Sequence, residues 1–309
     1  MNEFERIDAF VAQFDRVPTP FGPGDDAAVL PAAAQSCVTT DAVVEGVHFT
    51  RETSSLEDIG HKALAVNLSD LAAMGATPSW AVCALGLPER FTPTQLRALG
   101  RGMAALARVH GVALVGGNVT ASPVLTVTLT VAGTVRHPML RSGAQAGDAL
   151  YLSGPLGLAS AGLQALFTKQ SAGFERLKEA QRRPQPHLAW AQAAARFASA
   201  GIDVSDGLAQ DLGHLARASG VRIEIDTSLM PLDAALSAWA GSRPAALEHA
   251  LTGGEDYVLA VTVPARRAKA FEAAMRHFEV SRIGAVARGI GVLVDGKVWR
   301  RPGGFQHFT

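Results

Sequence analysis

Strand-like and helix-like hydrophobic patterns alternate along the whole chain. Between residues 125 and 131, leucine or valine alternates strictly with threonine. The strand predicted there therefore buries one face and presents threonines on the other. Shorter apolar runs bounded by turn residues predict further strands at 37–42, 80–87, 112–115, 150–152, 221–225 and 257–263.

Capping signals mark the start of two helices. The Thr-Pro-Thr-Gln run at 92–95 combines an N-cap, a first-turn proline and a capping-box glutamine, and predicts a helix that ends at Gly111. Ser55 and Asp58 offer a similar start for a helix that closes at Gly75. Further helices are predicted at 156–167, 188–198, 208–219 and 265–278.

Both halves of the chain mix strands and helices, which favours an α+β fold. A length of 309 residues suggests about two domains. The stretch 137–148 is rich in Gly, Ser and Arg and follows the alternating strand, so we place the domain boundary there, between 1–141 and 142–309.

Composition excludes several classes of protein. The 28 basic and 28 acidic residues cancel, so the chain lacks the positive charge of a nucleic-acid or polybasic membrane binder. Cys37 and Cys83 are too few for a disulfide framework, and no Cys/His spacing resembles a zinc site. With neither a signal-peptide pattern nor an apolar run of membrane-spanning length, we expect a soluble, cytoplasmic protein.

Carboxylates lie in four apolar segments that have no nearby basic residue. Asp26 precedes an apolar run, Asp41 ends a predicted strand, Asp70 lies within a predicted helix, and Asp203 and Asp206 flank Val-Ser. None has a Lys or Arg within three positions. Burying an isolated carboxylate costs several kcal/mol, so these charges must be compensated or protonated.

Magnesium is the compensation that this pattern favours. Oxygen ligands suit Mg²⁺, which usually binds one or two carboxylates together with substrate phosphates. Each acidic segment alone could be a solvated turn, a polar helix position or a helix cap. Their joint occurrence, without an EF-hand pattern, favours a magnesium site.

Glycine-rich turns offer weaker signals for anion binding. A Gly-Gly pair at 116–117 follows a predicted strand and another at 253–254 precedes one. Such pairs can expose backbone N–H groups to an anion, although they are more often simple turns. The segment 153–157 leads into a predicted helix whose N-terminus could bind a phosphate. No P-loop and no protein-kinase motif is present.

Several motifs together resemble those of thiamine-monophosphate kinases. They are Gly-Pro-Gly-Asp-Asp-Ala-Ala-Val from Gly22, Thr-Thr-Asp from Thr39, Glu-Gly-Val-His-Phe from Glu45, Lys-Ala-Leu-Ala-Val-Asn-Leu-Ser-Asp-Leu-Ala-Ala-Met-Gly-Ala from Lys62, Asp-Val-Ser-Asp-Gly-Leu from Asp203, Gly-Gly-Glu-Asp-Tyr from Gly253, and Gly-Phe-Gln-His-Phe from Gly304. The motifs from Glu45 and Lys62 separate this family from its relatives.

The resemblance implies the two-domain α+β fold of aminoimidazole ribonucleotide synthetase. In that fold, 1–141 would bind ATP and magnesium and would pair with a second copy into a dimeric β-barrel, while 142–309 would form a C-terminal α+β domain. A homodimer is therefore expected. The resemblance also implies a phosphotransferase that uses ATP and several Mg²⁺ ions to convert thiamine monophosphate into thiamine diphosphate, the last step in making that cofactor.

The resemblance assigns roles to residues that match the family motifs. Magnesium would be held by Asp26, Thr39, Thr40, Asp41, Asp70, Asn118, Asp203 and Asp206. ATP would contact Gly117, Asn118, Arg141 and Ser205, and thiamine monophosphate would contact His48, Glu255 and Phe305. Asn118 stands where many members have Asp and contributes one less negative charge, and Gln306 stands where an acid is frequent.

No catalytic side chain is expected, because a phosphate monoester acceptor is already largely ionised near neutral pH. The transfer would be direct, in line and assisted by magnesium. Two alternatives stay open. One is another ATP-dependent member of the same fold, such as a selenophosphate or aminoimidazole ribonucleotide synthetase; no N-terminal Cys supports the former. The other is a non-catalytic magnesium-nucleotide binder in which Asn118 marks lost activity.

Overall fold

The computed structural model describes residues 28–30, 35–168 and 172–300. The predicted site residues Asp26 and Phe305 lie outside these ranges, as does Gln306. Among the described residues, no helix combines the length and the apolar character that a membrane span requires.

Among its described residues, the N-terminal half has a five-stranded sheet in the order β1-β2-β5-β3-β4 and two helices. Only β3 and β4 pair in parallel; the other neighbours are antiparallel. Its elements are β1 (Ala28–Leu30), β2 (Ser36–Val44), α1 (Leu56–Ala73), β3 (Thr77–Leu87), α2 (Pro93–His110), β4 (Ala113–Ala121) and β5 (Thr126–Thr134).

The sequence patterns of this half are largely confirmed. In β5, Val127, Leu129 and Val131 are fully buried, whereas the intervening threonines are half-buried. Both capping boxes form, at Ser55 for α1 and at Thr92 for α2. Helix α1 is buried along nearly its whole length, and it buries polar residues such as Lys62 and Ser69 together with its apolar ones.

Strand β4 differs from the prediction, which ended the strand at residue 115 and placed the glycine pair in a turn. The strand continues to Ala121. A Cβ on Gly117 would lie 1.9 Å from the carbonyl oxygen of Cys83 in β3. Glycine is therefore needed at position 117 for close strand pairing.

The first sheet is open in the single chain. Strands β1 and β4 form its two edges, so one chain does not close a barrel. All of β4 is exposed, including Leu114, Val115 and Val119.

The C-terminal half contains a mixed seven-stranded sheet in the order β12-β11-β8-β10-β6-β9-β7. Its strands are β6 (Ala149–Leu152), β7 (Ala200–Val204), β8 (Arg222–Ile225), β9 (Val258–Val263), β10 (Ser281–Ala287), β11 (Gly291–Val294) and β12 (Lys297–Val298). Its helices are α3 (Leu158–Phe167), α4 (Glu175–Arg182), α5 (Leu188–Ala194), α6 (Leu208–Ser219), α7 (Ala234–Ala240), α8 (Arg243–Thr252) and α9 (Ala265–Ala274).

Several of these elements had no counterpart in the sequence analysis, namely α4, α7, α8, β7 and the last three strands. Helix α4 reads Glu-Arg-Leu-Lys-Glu-Ala-Gln-Arg and buries only Leu177 and Gln181, so it has no apolar stripe to detect. Helices α5 and α9 are each four residues shorter than predicted, ending at Ala194 and Ala274.

One apolar core joins the two halves. It runs from the first sheet through Leu68 and Leu71 of α1 to Leu259 and Val261 of β9. Helix α1 thus supports both halves, and the space between them is where the acidic segments meet.

Candidate active site

A cavity of about 430 Å³ lies between the two halves. Five carboxylates line it, and no Lys or Arg is among its lining residues in the described part of the chain. Those carboxylates belong to Asp41, Asp70, Asp203, Asp206 and Glu255. The lining is otherwise partly apolar, with Val47, Phe49, Leu163, Phe167 and Tyr257. Three of the four acidic segments singled out in the sequence, and the segment of Glu255, therefore share one enclosure; the fourth, at Asp26, lies outside the described residues.

The N-terminal half contributes carboxylates from β2 and α1. Thr39 Oγ1 donates a hydrogen bond of 2.6 Å to Asp70 Oδ2, which links the strand to the helix. Asp41 Oδ1 accepts from the backbone N–H of Ala42 at 2.6 Å. Successive strand side chains alternate between faces, and Thr40 Oγ1 turns away to donate to the carbonyl of Leu129 at 2.9 Å. The Thr40 side chain is thus not in the cavity.

The C-terminal half contributes carboxylates from the end of β7. Asp203 is 3% exposed, and its Oδ2 accepts from Ser69 Oγ of α1 at 2.6 Å. Asp206 follows the strand, and its Oδ2 accepts from Gln210 Nε2 at 3.2 Å. The two residues sit beside the start of α6, where their charges add to the acidity of the cavity.

The carboxylate of Asp211, which sequence analysis missed, accepts hydrogen bonds from the backbone of the turn that follows β7. Asp211 Oδ2 accepts from the backbone N–H groups of Asp206 and Gly207, at 3.1 and 3.0 Å. Burial raises the pKa of Asp211 well above its usual value, and the nearby charges of Asp206 and Asp203 raise it further. Its first-turn position in α6 was the available signal.

The carboxylates of the cavity lie close enough to the buried phenol of Tyr257 to affect its pKa. Burial raises the pKa of Tyr257, and the carboxylates of Glu255, Asp41, Asp203 and Asp70 raise it further. These groups come from both halves of the chain, so the enclosure has a strong excess of negative charge. A doubly charged cation would relieve that excess.

The donor set fits magnesium better than a closed metal cage. Within the described ranges, no three His, Cys, Asp or Glu side chains are grouped closely enough to hold an ion by themselves. Magnesium commonly takes one or two carboxylates and completes its shell with water and phosphate oxygens. Separate carboxylates around a cavity match that requirement.

Glu255 is part of a charged cluster at the cavity wall. Its Oε1 lies 2.7 Å from Nζ of Lys62, a residue only 3% exposed, and its Oε2 accepts from Gln181 Nε2 at 2.5 Å. Lys62 Nζ also donates to the carbonyl of His48 at 3.3 Å. His48 Nδ1 accepts from the backbone N–H of Val44 at 3.1 Å, so in the neutral ring the proton is on Nε2. The partners Lys62 and Gln181 were not predicted.

The backbone around Glu255 adopts an unusual conformation. Glu255 and Tyr257 have φ angles of 67° and 52°, which non-glycine residues rarely adopt. Their N–H groups donate to the carbonyls of Ser205 and Val204, at 2.7 and 2.9 Å. These bonds to the Asp203–Asp206 segment hold the two strained residues, as is common at functional sites.

The sequence analysis considered the N-terminus of α3 and the glycine pair at 253–254 as anion sites. In the structure, groups of the protein itself occupy both places. The carboxylate of Asp256 accepts from the N–H groups of Gly157 and Ala159, at 2.6 and 3.0 Å, so it occupies the N-terminus of α3. Burial raises the pKa of Asp256 to about 7 despite these bonds. A Cβ on Gly254 would lie 2.7 Å from the carbonyl oxygen of Ser205, so this glycine permits close packing.

The structure brings together some of the predicted site residues and separates others. His48, Asp41, Asp70, Asp203, Ser205, Asp206 and Glu255 line the cavity, and Thr39 contacts one of them. Gly117 and Asn118 line a separate depression of about 450 Å³ between β4 and α2. Arg141 lies in the segment between the halves, where its carbonyl accepts from Ser219 Oγ at 2.7 Å.

Strand register shows how far apart these groups are. Asp41 in β2 is paired with Leu129, which is paired with Cys83, which is paired with Gly117 in β4. Three strand spacings, about 14 Å, therefore separate Asp41 from Gly117. Within one chain, Gly117 and Asn118 do not share the cavity with the four aspartates.

Comparison with known proteins identifies both halves. Residues 24–135 match the family described as AIR synthase related protein, N-terminal domain, and residues 145–295 match the corresponding C-terminal domain. Proteins named thiamine-monophosphate kinase are 36% identical in Aquifex aeolicus, covering 92% of each chain. The protein of that name in Mycobacterium tuberculosis H37Rv is 38% identical, covering 100% of this chain and 92% of its own.

Solved structures agree with this result. AaThiL complexed with AMPPCP and TMP superposes with a TM-score of 0.90 at 33% identity, covering 99% of this chain and 97% of that one. Thiamine-monophosphate kinase from Stenotrophomonas maltophilia gives 0.81 at 39% identity, covering 96% of each chain. HypE from E. coli, at 22% identity and a TM-score of 0.71, shares the fold. The chain belongs to the thiamine-monophosphate kinase family, within the AIR synthase related proteins.

Proposed function

We propose that this protein transfers the γ-phosphoryl group of ATP to the phosphate of thiamine monophosphate, yielding thiamine diphosphate and ADP. The observation that carries this proposal is the convergence of Asp41, Asp70, Asp203 and Asp206 on one cavity between the halves. The names of the relatives support it, as does the relative solved with AMPPCP and TMP.

The reaction must bring two polyanions into line at close range, where like charges repel strongly. Bound Mg²⁺ would offset that repulsion and the charge that develops during transfer. The residues proposed to hold it are Asp41, Asp70, Asp203 and Asp206 in the cavity, Thr39 beside them, and the motif residues Asp26, Thr40 and Asn118.

The chain's own contribution is to orient these oxygens. Hydrogen bonds from Thr39, Ser69 and Gln210 fix one oxygen each of Asp70, Asp203 and Asp206. The acceptor phosphate needs no general base, because its second pKa is about 6. Positioning and charge compensation are thus the whole of the proposed mechanism.

Thiamine monophosphate and the phosphates of ATP would lie in the cavity. His48, Glu255 and Phe305 are proposed to contact thiamine monophosphate, and Gly117, Asn118, Arg141 and Ser205 are proposed to contact ATP. We also propose that 1–141 and 142–309 are the two domains and that the chain is a homodimer. The exposed edge strand β4 supports pairing with a second copy, in which two open sheets could complete a barrel.

The decisive assay follows product formation. The purified protein is incubated with ATP, Mg²⁺ and thiamine monophosphate, and thiamine diphosphate is separated and detected by thiochrome fluorescence. We expect one thiamine diphosphate per ADP, and no product when EDTA removes the metal. Absence of thiamine diphosphate with Mg²⁺ present would favour the non-catalytic alternative.

A further inference from the structure

The side chain of Gln181 has a buried carbonyl without a partner in the described part of the chain. Gln181 lies in the last turn of α4, is 5% exposed and lines the cavity. Its Nε2 donates to Glu255, but its Oε1 is buried and accepts no hydrogen bond there. Native proteins rarely leave such a group unsatisfied, so we expect Gln181 Oε1 to have a hydrogen-bond donor.

The orientation of this amide is fixed chemically. Glu255 already accepts from Lys62, and an ionised carboxylate offers only acceptors. The NH₂ group of Gln181 must therefore face Glu255, and its carbonyl must face elsewhere. The residues after it anchor the helix end, since Arg182 Nε donates to the carbonyl of Thr53 and Arg183 Nε to Asp58 Oδ1, each at 2.5 Å.

The nature of the donor follows from the chemistry of the substrate, so this step rests on the proposed function. In thiamine monophosphate, the only N–H groups are those of the exocyclic amine on the pyrimidine ring. We propose that Gln181 Oε1 accepts a hydrogen bond from this amine and that Gln181 is a specificity-determining residue. An amide carbonyl in a cavity discriminates strongly, because an analogue without the donor leaves it unpaired.

The position of Gln181 suits this role. Its partner Glu255 pairs with Lys62, which lies eight residues before Asp70 on α1, about 12 Å along the helix axis. Lys62 and Asp70 are thus about two turns apart on the helix that borders the cavity. A phosphate bound among the aspartates would direct the rings toward Gln181, past the apolar side chains of Leu163 and Phe167.

ATP also carries an exocyclic amine, on a neutral base attached to an anionic chain. The pyrimidine of thiamine is instead joined through one methylene to a cationic thiazolium. The cavity as a whole has five carboxylates and no Lys or Arg among its described lining residues, which favours the molecule that carries a cationic ring. We therefore assign the amide to thiamine monophosphate.

The test compares thiamine monophosphate with oxythiamine monophosphate, in which a carbonyl oxygen replaces the amine. In the wild-type protein, we expect kcat/KM to be about 10-fold or more lower for the oxo analogue. In Gln181→Met, which keeps the length of the side chain but cannot accept from the amine, we expect this ratio to fall to about 1. The change should come from KM for thiamine monophosphate, with KM for ATP unchanged.

The matched control is Gln185→Met, because Gln185 is exposed and does not line the cavity. It should keep the wild-type ratio. An unchanged ratio in Gln181→Met, or a raised KM for ATP in its place, would overturn the assignment. So would a wild-type protein that does not distinguish the two substrates, a result that stands even if the variant fails to fold. An inactive wild-type protein would instead refute the proposed function.

Discussion

Ser69 Oγ and Asp203 Oδ2 are joined by a hydrogen bond of 2.6 Å that crosses from the N-terminal to the C-terminal half. Ser69 is fully buried on α1, next to Asp70, and Asp203 is the second-last residue of β7. The helix that presents one cavity carboxylate therefore also orients a second, from the other half. Any change in the relative position of the halves would disturb both.

We expect Ser69→Ala to weaken magnesium-dependent activity without removing a proposed ligand. Asp203 would lose the donor that fixes its orientation, a type of loss that typically costs about 10–100-fold in metal affinity or activity. The measurement is the Mg²⁺ concentration that gives half-maximal rate, which should rise. Ser79→Ala is the control, because Ser79 is exposed and donates only to the carbonyl of Ala132. Equal Mg²⁺ dependence in both variants would contradict the role of Ser69.

Replacing a cavity aspartate should lower turnover steeply and preserve the fold. Asp70→Asn and Asp41→Asn keep the side-chain size but remove one negative charge each, and we expect kcat to fall by about 100-fold or more at saturating Mg²⁺. Asp226→Asn is the matched control, because Asp226 is exposed and only caps the short 3₁₀ turn at Thr227–Leu229. Wild-type kcat in either cavity variant would rule out metal-borne catalysis there.

The Asp256 carboxyl should make the protein less stable as the pH rises. Its pKa is raised from 3.8 to about 7 by burial, so the folded state binds this proton more tightly than the unfolded state. Its contribution is thus most favourable below about pH 4 and is lost progressively toward pH 7. Asp256→Asn cannot ionise, so the stability of the variant relative to wild type should improve by about 1 kcal/mol or more between pH 5 and pH 8.

Urea unfolding of both proteins at the two pH values measures this difference. Loss of one acceptor at the N-terminus of α3 will destabilise Asp256→Asn by the same amount at both pH values, so the comparison across pH isolates the ionisation. A constant difference between the two proteins would show that Asp256 does not titrate in this range.

Local signals in the sequence predicted much of the fold. The capping boxes at Ser55 and Thr92 are short-range patterns, and both helices begin where the patterns place them. Strand β4 was cut short because Gly116 and Gly117 suggest a turn. At Gly117 the glycine is instead required by the closeness of Cys83 in β3, which is 34 residues away in the sequence. Helix α4 was missed because its residues are almost all polar.

The site likewise contains residues that the local sequence could predict and partners that it could not. The aspartates could be singled out because carboxylates within apolar segments need compensation, and that argument uses only neighbouring residues. The pairing of Lys62 with Glu255, and of Gln181 with Glu255, joins segments 193 and 74 residues apart. No spacing rule indicates such contacts, so these partners emerge only from the folded structure.

The exposed edge strand β4 predicts how the chain associates. Leu114, Val115 and Val119 are each about 60% exposed on this strand, and unpaired edges with apolar side chains favour pairing with another strand. We expect a homodimer of twice the 32.2 kDa chain mass by light scattering.

Val115→Asp should give monomers, because pairing would bring a charge into the interface. Activity should fall with the dimer, since Gly117 and Asn118, the proposed ATP contacts, lie on the same strand. Val109→Asp, at an exposed position on α2, is the control and should remain dimeric; a wild-type protein of single-chain mass would contradict the pairing of β4.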